Sequence, residues 1–158
     1  MLHSSIHTIG ALAGVVMMET IQSRFGEITV DTDKAILFPR GLLGMPDRFR
    51  FALANFPNPK MQQFTLLQSL DDHALSFISL PLEINNGIVA AADLQAACRD
   101  LKIEEPNLVI LLIVSVHRGP DRTKLSVNAR APLLIDATRK AGVQYVFQQD
   151  HYKVQHML

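Results

Sequence analysis

The residues of this chain that could do nucleophilic or metal chemistry are thinly spread. Among its six histidines, only His3 and His7 have a spacing that could place two rings on one helix face as metal ligands. No cysteine or carboxylate lies near that pair, so we predict no metal site. The single cysteine, Cys98, falls on an apolar helical stripe, where a free thiol usually packs as a small hydrophobic side chain.

Acid–base and phosphate chemistry are equally poorly supported. Asp71-Asp72 and Glu104-Glu105 are adjacent pairs, and neighbouring side chains in an extended chain point to opposite sides, so neither pair is a ready general acid and base. Gly41 and Gly44 are followed neither by a Lys-Ser/Thr pair nor by a helical pattern, as a phosphate-binding loop requires. We therefore predict a protein that is not an enzyme and uses no cofactor.

Composition and charge point to one small domain without a strong electrostatic field. The chain has 158 residues and 48% hydrophobic content, which is enough for a single core. Fifteen Lys plus Arg balance fifteen Asp plus Glu, which argues against a dedicated nucleic-acid binder. One cysteine cannot form an internal disulfide, so we expect a reducing, cytoplasmic compartment.

The first residues differ in character from the rest. The apolar run at 9–18 is too short to cross a bilayer, which takes about 20 helical residues, and no Lys or Arg precedes it as in a signal peptide. We expect residues 1–18 to be a disordered extension, residues 19–150 to be a β-barrel domain and residues 151–158 to be a C-terminal tail. No membrane association is predicted.

The elements that must position any functional residue are mostly short strands. Alternating apolar runs between turn residues predict strands, and we place them at 28–30, 35–38, 49–53, 64–69, 75–80, 108–116, 125–128, 133–135 and 143–147. Asp31-Thr32-Asp33 suggests that the first two form a hairpin, and Lys140-Ala141-Gly142 suggests a turn before the last. The helical spacing of Leu94, Ala97 and Cys98 predicts one helix at 91–101.

These elements predict a mainly β fold, namely a small antiparallel β-barrel or rolled sheet with one short helix packed outside. In the run 75–80 the apolar residues change from odd positions, Leu75 and Phe77, to even positions, Ile78 and Leu80. That strand therefore either carries a bulge or is covered on both faces, and we favour coverage by the helix. Between strands, the glycines and prolines of 39–46 predict a shaped loop. We expect Phe38, Pro39, Gly41 and Gly44 to be structural there.

Four segments in order resemble the flagellar assembly factor FliW family, and the resemblance runs from about residue 21 to residue 158. They are SRFGE at 23–27, FPRGLLG at 38–44, LQSLDD at 67–72 and LSVNARAPLLI at 125–135. The final YKVQHML is similar to a YxxRHxL tail of the family, with Gln155 in the Arg position. Met45 stands where the family usually has Phe, and residues 82–90 are shorter than expected.

The resemblance implies a cytoplasmic protein that binds flagellin and, when flagellin has been exported, binds the translational regulator CsrA instead. Such a protein would release flagellin translation by competition between two partners, without covalent chemistry. It would contact neither nucleic acid nor membrane directly. The residues expected to contact the partners are Gln68, Asp71, Asp72, Asn128, Tyr152 and His156.

The grounds for these contacts differ. Asp71 and Asp72 lie at a turn, where acidic side chains could meet a basic regulator, or they could simply make the turn. Asn128 ends a strand and could face a partner or its own backbone. Tyr152 and His156 follow the last predicted strand, where an amphipathic ring can anchor an interface.

Two other functions compete with this one. A small barrel could hold a ligand or cofactor. Alternatively, the basic side chains around one hairpin could bind RNA, although no aromatic side chain lies between His117 and Arg130 to stack on bases. Those basic residues are Arg118, Arg122, Lys124 and Arg130, and because the total charge is neutral we favour a solvated hairpin tip over an RNA site.

Overall fold

The computed structural model describes residues 4–8 and 15–158, with side chains from residue 17 onward. These residues form a mainly β chain with one α-helix, α1 (Ala91–Leu101). The strands are β1 (Ser4–Thr8), β2 (Val15–Ser23), β3 (Gly26–Asp31), β4 (Ile36–Leu37), β5 (Arg50–Asn55), β6 (Thr65–Ser69), β7 (Ser76–Leu82), β8 (Leu108–Arg118), β9 (Thr123–Val127), β10 (Leu133–Asp136), β11 (Ala141–Gln144) and β12 (His156–Met157).

Seven strands close into a barrel, in the order β4, β5, β6, β7, β8, β10 and β11. Closure occurs where β10 pairs with the first half of β8 and where β11 pairs with β4 through Ala141 and Leu37. Only the β11–β4 pairing is parallel. The predicted barrel with a helix outside is therefore confirmed.

Alternate side chains of the barrel strands point inward and fill the interior. The buried members of this core are Ile36, Phe38, Leu42, Phe51, Leu67, Leu111, Leu133 and Ile135. Gly142 lies on β11 against this core, and a Cβ there would approach a ring carbon of Phe38 to 2.8 Å. Because these apolar side chains occupy the described interior, the barrel resembles a packed core, which argues against the competing function of ligand binding inside it.

The outer face of the barrel is covered by three groups. Helix α1 packs Leu94 and Ala97 against Ile110 and Leu134, and Cys98 is buried on the same stripe, as predicted. The β2–β3 hairpin packs Ile21 and its neighbours on β5 and β6. The third group covers β7 and β8 with an apolar layer of Phe25, Phe56, Met61 and Phe64 around Ile78 and Leu112.

This third layer explains the shifting apolar phase of β7. Phe77 faces the barrel interior and Ile78 faces the outer layer, so the strand is covered on both faces. The predicted source of the cover was wrong, since residues from the 56–64 segment and the β2–β3 hairpin, rather than the helix, pack on Ile78.

Strand β8 extends beyond the barrel and carries a separate sheet, which we call the wing. The wing comprises residues 114–118 of β8, residues 119–127 through β9, and residues 153–158 including β12. Val114 to Arg118 pair with β9, and β9 pairs with β12 on its other side. On the opposite side of β8, pairing with β7 stops at Ile113.

Two of the predicted local connections are wrong. Strand β3 pairs with β2, and β4 pairs with β5 and β11 instead of forming a hairpin with β3. The turn after β10 lies at residues 137–140, where Lys140 adopts φ 54°, so Gly142 is inside β11 rather than in the turn. Residues 145–149 lie outside the strands, although the N–H groups of Tyr145 and Phe147 still donate to the carbonyl oxygens of Pro132 and Arg130.

The predicted extension, 1–18, lies partly outside the described residues. Its described parts pair with each other, since β1 runs antiparallel to the first residues of β2. At the other end, the predicted tail is hydrogen-bonded to the domain, because the carbonyl oxygen of Lys153 accepts the main-chain N–H groups of Ala129 and Arg130. The division of the chain into extension, domain and tail stays a prediction.

Candidate partner-binding surfaces

The loop after β4 is built around a tight turn. Leu42 and Met45 exchange two main-chain hydrogen bonds of 3.2 and 2.8 Å, and Gly44 in the turn has φ +81°. Gly41 has φ +65°, and a Cβ there would lie 2.4 Å from the carbonyl oxygen of Met45. Only glycine fits such a position. Phe38 is buried inside the barrel and Pro39 is exposed at its end.

Gln68 is completely buried and organises the turn between β6 and β7. Its amide nitrogen donates hydrogen bonds to the carbonyl oxygens of Ser69 (2.9 Å) and His73 (3.1 Å). Its amide oxygen accepts a hydrogen bond from the hydroxyl of Ser76. The side chain is therefore fully used inside the fold, since a buried amide must satisfy its polar atoms.

Asp71 connects the same turn to the start of β5. Its carboxylate accepts hydrogen bonds from the main-chain N–H groups of Arg50 (3.0 Å) and Phe49 (3.1 Å), and the Arg50 guanidinium donates at 3.3 Å. The Arg50 N–H, followed by the other donors, holds the pKa of Asp71 below its ordinary value, although partial burial opposes the shift. The ionised carboxylate thus stabilises the fold.

Asp72 makes the turn and keeps a partly free carboxylate. One oxygen accepts the N–H of Ala74 at 3.1 Å, and the other lies 3.7 Å from the Arg48 guanidinium. The side chain is 40% exposed. The hydroxyl of Ser69 stabilises the turn, because it accepts the N–H groups of both Asp71 and Asp72. Both aspartates make the turn, and Asp72 is also accessible.

Tyr152 is buried and joins the C-terminal segment to α1. Its hydroxyl accepts the N–H of Ala90 at 3.0 Å and donates to the carboxylate of Asp93. Helix α1 has no side-chain cap at Ala90. The tyrosine hydroxyl instead accepts a main-chain N–H at the start of the helix, which is the role that a capping side chain usually has. Burial, with the Asp93 hydrogen bond as the next cause, raises the pKa of Tyr152.

Asn128 and His156 lie near Tyr152, since Lys153 accepts a main-chain hydrogen bond from Ala129. The side-chain oxygen of Asn128 accepts the N–H of Ala131 at 3.0 Å, so this amide turns the chain after β9. His156 of β12 pairs with Val127 of β9 and is half-buried. The six predicted contact residues thus form two groups, one at the β6–β7 turn and one in or next to the wing.

The wing also exposes apolar side chains that the sequence patterns did not single out. Val116 is 39% exposed, Met157 49% and Leu158 55%. Val116 lies opposite Leu125, and Leu158 donates its N–H to the Leu125 carbonyl, which places Val116, Leu125 and Leu158 in one row across the sheet, whereas Met157 lies opposite Ser126. An apolar run at the end of a strand does not reveal whether its last residues are covered.

The described residues show little that could perform chemistry. In the part of the chain with described side chains, no three His, Cys, Asp or Glu residues group as metal ligands, and His3 and His7 lie outside it. A groove of about 270 Å³ lies outside the barrel between Leu101 and Val143. Its Asp136 is buried and paired with Arg139 at 3.6 Å. No helix in the described part of the chain has the length and apolarity needed to cross a bilayer.

The fold and its two surfaces define a small β-barrel protein whose accessible groups lie at the turns and strand ends. The family model described as FliW protein matches residues 19–158. The flagellar assembly factor FliW of Natranaerobius thermophilus is 33% identical over 143 residues, which cover 89% of this chain and 92% of that protein. The flagellar assembly factor FliW 2 of Desulfotalea psychrophila is 31% identical and covers 85% of this chain and 87% of its own length.

A solved structure agrees with this at the level of the fold. The crystal structure of a flagellar assembly factor FliW superposes with a TM-score of 0.64 and covers 87% of this chain and 95% of its own, at 20% identity. The chain therefore belongs to the FliW family of flagellar assembly factors.

Proposed function

We propose that this protein is a cytoplasmic, non-enzymatic regulator that binds flagellin and CsrA in competition. The observation that carries the proposal is the family match across residues 19–158, because relatives of nearly equal length are named flagellar assembly factors. Binding flagellin would hold it as a chaperone does before export. Once flagellin has left, the freed protein would bind CsrA and lift its control of flagellin translation.

Competition of this kind needs only that the two partners exclude each other from one pool of the protein. Each partner then raises the apparent dissociation constant of the other in proportion to its own free concentration. No bond is made or broken. The switch responds to flagellin export because export lowers the flagellin concentration.

Within this proposal, the accessible contact at the β6–β7 turn is Asp72. Asp71 and Gln68 would hold the turn in shape, since their polar atoms are occupied by the protein's own chain. In the second group, His156 is the accessible member. Tyr152 and Asn128 would position the segment that carries it.

The test is calorimetric titration of the purified full chain with monomeric flagellin and, separately, with CsrA from the same organism. We expect both to bind, and a saturating amount of flagellin to weaken CsrA binding at least tenfold, or about 1.4 kcal/mol. Absence of binding to both partners at micromolar concentrations would refute the regulator. Simultaneous binding without mutual weakening would refute the competition.

The contact surface is tested by reversing the charge of Asp72 and, as a control, the charge of Asp47. Asp72→Lys should weaken binding of at least one partner about tenfold or more, because it reverses an accessible charge. Asp47→Lys is the matched control, since Asp47 is 75% exposed and contacts the neighbouring Arg48 at 2.8 Å. Equal effects of the two substitutions would exclude Asp72 as a contact.

A further inference from the structure

The wing leaves part of a strand edge unpaired, and the direction of its free groups follows from two hydrogen bonds. Asn128 donates its N–H to Ile113 at 2.9 Å, and Gly119 donates to Arg122 at 3.1 Å. Opposed residues in an antiparallel pair alternate between hydrogen-bonded and non-hydrogen-bonded positions. Both hydrogen bonds toward the β9 side involve odd-numbered residues, Ile113 and Gly119. Ser115 and His117, which are also odd-numbered, therefore direct their main-chain groups toward β9.

The even-numbered residues of this stretch direct their main-chain groups the other way. On that side β7 ends its pairing opposite Ile113. The N–H and carbonyl groups of Val116 and Arg118 consequently face an open edge, without a backbone partner among the described residues. An open edge of this kind accepts an extended segment from another chain.

The side chains around this edge indicate the chemistry of that segment. The wing has four basic side chains and one acid, Asp121, in a chain whose total charge is balanced. No ion pair within the described residues involves the four basic ones, which are Arg118, Arg122, Lys124 and Lys153. Val116 and the exposed Leu158 provide apolar contacts on one face.

We propose that the open edge of β8 at Val116 and Arg118 binds an extended, acidic protein segment with alternating apolar residues. The segment would add a strand to the wing, with its carboxylates beside the basic side chains and its apolar residues along the Val116 row. Single-stranded RNA fits less well, because the edge offers main-chain hydrogen bonds and no exposed aromatic ring. This inference does not depend on flagellin or CsrA being the partners.

A proline substitution can remove the proposed hydrogen bond without disturbing the existing sheet. Val116→Pro deletes an N–H that points away from β9, and proline is tolerated at such edge positions. Val116→Thr is the matched control, because it keeps the N–H and a β-branched side chain of similar size. Both variants should keep the circular dichroism spectrum of the parent.

The probe is the peptide fluorescein-Glu-Val-Glu-Val-Glu-Val-Glu-amide, labelled at its N-terminus, added to the full chain and followed by fluorescence anisotropy. We expect a dissociation constant of about 0.1 mM or tighter, at least a tenfold loss in Val116→Pro, and little change in Val116→Thr. In ¹⁵N-labelled protein, amide shifts should concentrate at Val116 and Arg118. The corresponding Lys-Val peptide should bind at least tenfold more weakly.

Two outcomes would overturn the proposal. The first is absence of peptide binding at about 1 mM, or equal binding by the parent and Val116→Pro. The second is tight binding of a fluorescein-labelled uridine heptamer that is abolished by Arg122→Glu with Lys124→Glu and unaffected by Val116→Pro. The variant Lys34→Glu with Lys60→Glu makes the same charge change on exposed residues of other elements and controls for net charge.

Discussion

The β6–β7 turn and the wing both follow strands of the same barrel, yet they use their polar groups differently. In the turn, Gln68, Ser69 and Asp71 direct their side-chain hydrogen bonds to the protein's own main chain. In the wing, the main-chain groups at Val116 face an open edge. A polar group that already completes the fold has little left for a partner, whereas an unpaired edge is available from the start.

The comparison can be broken most forcefully in the C-terminal segment that leads into the wing, where Tyr152 is buried and Val154 is exposed. Tyr152→Ala should lower the free energy of unfolding by about 3–5 kcal/mol, because it empties a buried aromatic site and removes the contacts to Ala90 and Asp93. Val154→Ala should change it by less than about 0.5 kcal/mol, since Val154 is 58% exposed. Urea denaturation measures both, and similar losses would mean that this segment has no inner and outer face.

A second prediction concerns the buried amide of the turn. Gln68→Ala should cost about 1–3 kcal/mol, because the Ser76 hydroxyl and the carbonyls of Ser69 and His73 lose their partner. Gln63→Ala, at an exposed residue before β6, is the control and should be near neutral. If Gln68→Ala unfolded at the same urea concentration as the parent, the turn would not depend on this network.

The third prediction is a pH dependence at the same turn. The pKa of Asp71 is lowered in the folded state, so its contribution is present above the unfolded pKa of about 3.9 and is lost as pH falls through the folded pKa. Asp71→Asn should therefore cost up to about 1 kcal/mol at pH 7, with partial exposure limiting the value. The difference between parent and variant should vanish at low pH.

The control for this pH dependence is Asp47→Asn, because the Asp47 side chain is 75% exposed and pairs only with its neighbour Arg48 in the described contacts. Its unfolding curve should match the parent at every pH. A difference for Asp71→Asn that persisted unchanged below the unfolded pKa would show that the carboxylate charge is not what stabilises the turn.

The smallest effect is expected at the exposed side chain of Met157 in the wing. Met157→Ser should change stability by less than about 0.5 kcal/mol, which corresponds to a melting shift of roughly 2 °C or less, because the side chain is 49% exposed. A larger shift in a thermal scan would show that the apolar wing surface already contributes to the isolated fold.

The same contrast explains what the sequence could predict. Helix α1 and strand β8 are long periodic or apolar runs, and both were predicted nearly residue for residue. The short strand β4 was assigned the wrong neighbour because the Asp31-Thr32-Asp33 signal shows that the chain turns without showing where it goes. The parallel contact of Leu37 with Ala141 joins residues too distant for any local pattern to reveal.

The candidate contacts show a related limit. Gln68 is expected at the surface because polar groups at a strand end and turn are usually exposed, and Tyr152 because an amphipathic ring after the last strand can anchor an interface. Both are buried with their polar atoms satisfied. Whether a particular glutamine or tyrosine is buried depends on the groups that surround it in the fold. The open edge at Val116 was equally hidden, because it results from β7 ending its pairing one residue before the wing begins.

The bond between Tyr152 and the first turn of α1 also sets an order of events during synthesis. The tyrosine follows Ala90 and Asp93 by 62 and 59 residues. At translation rates of about 5–20 residues per second, the ribosome needs several seconds to add that length. During this interval the start of the nascent helix lacks its tyrosine partner, so the part of the barrel face that α1 covers is completed only after the C-terminal segment has emerged.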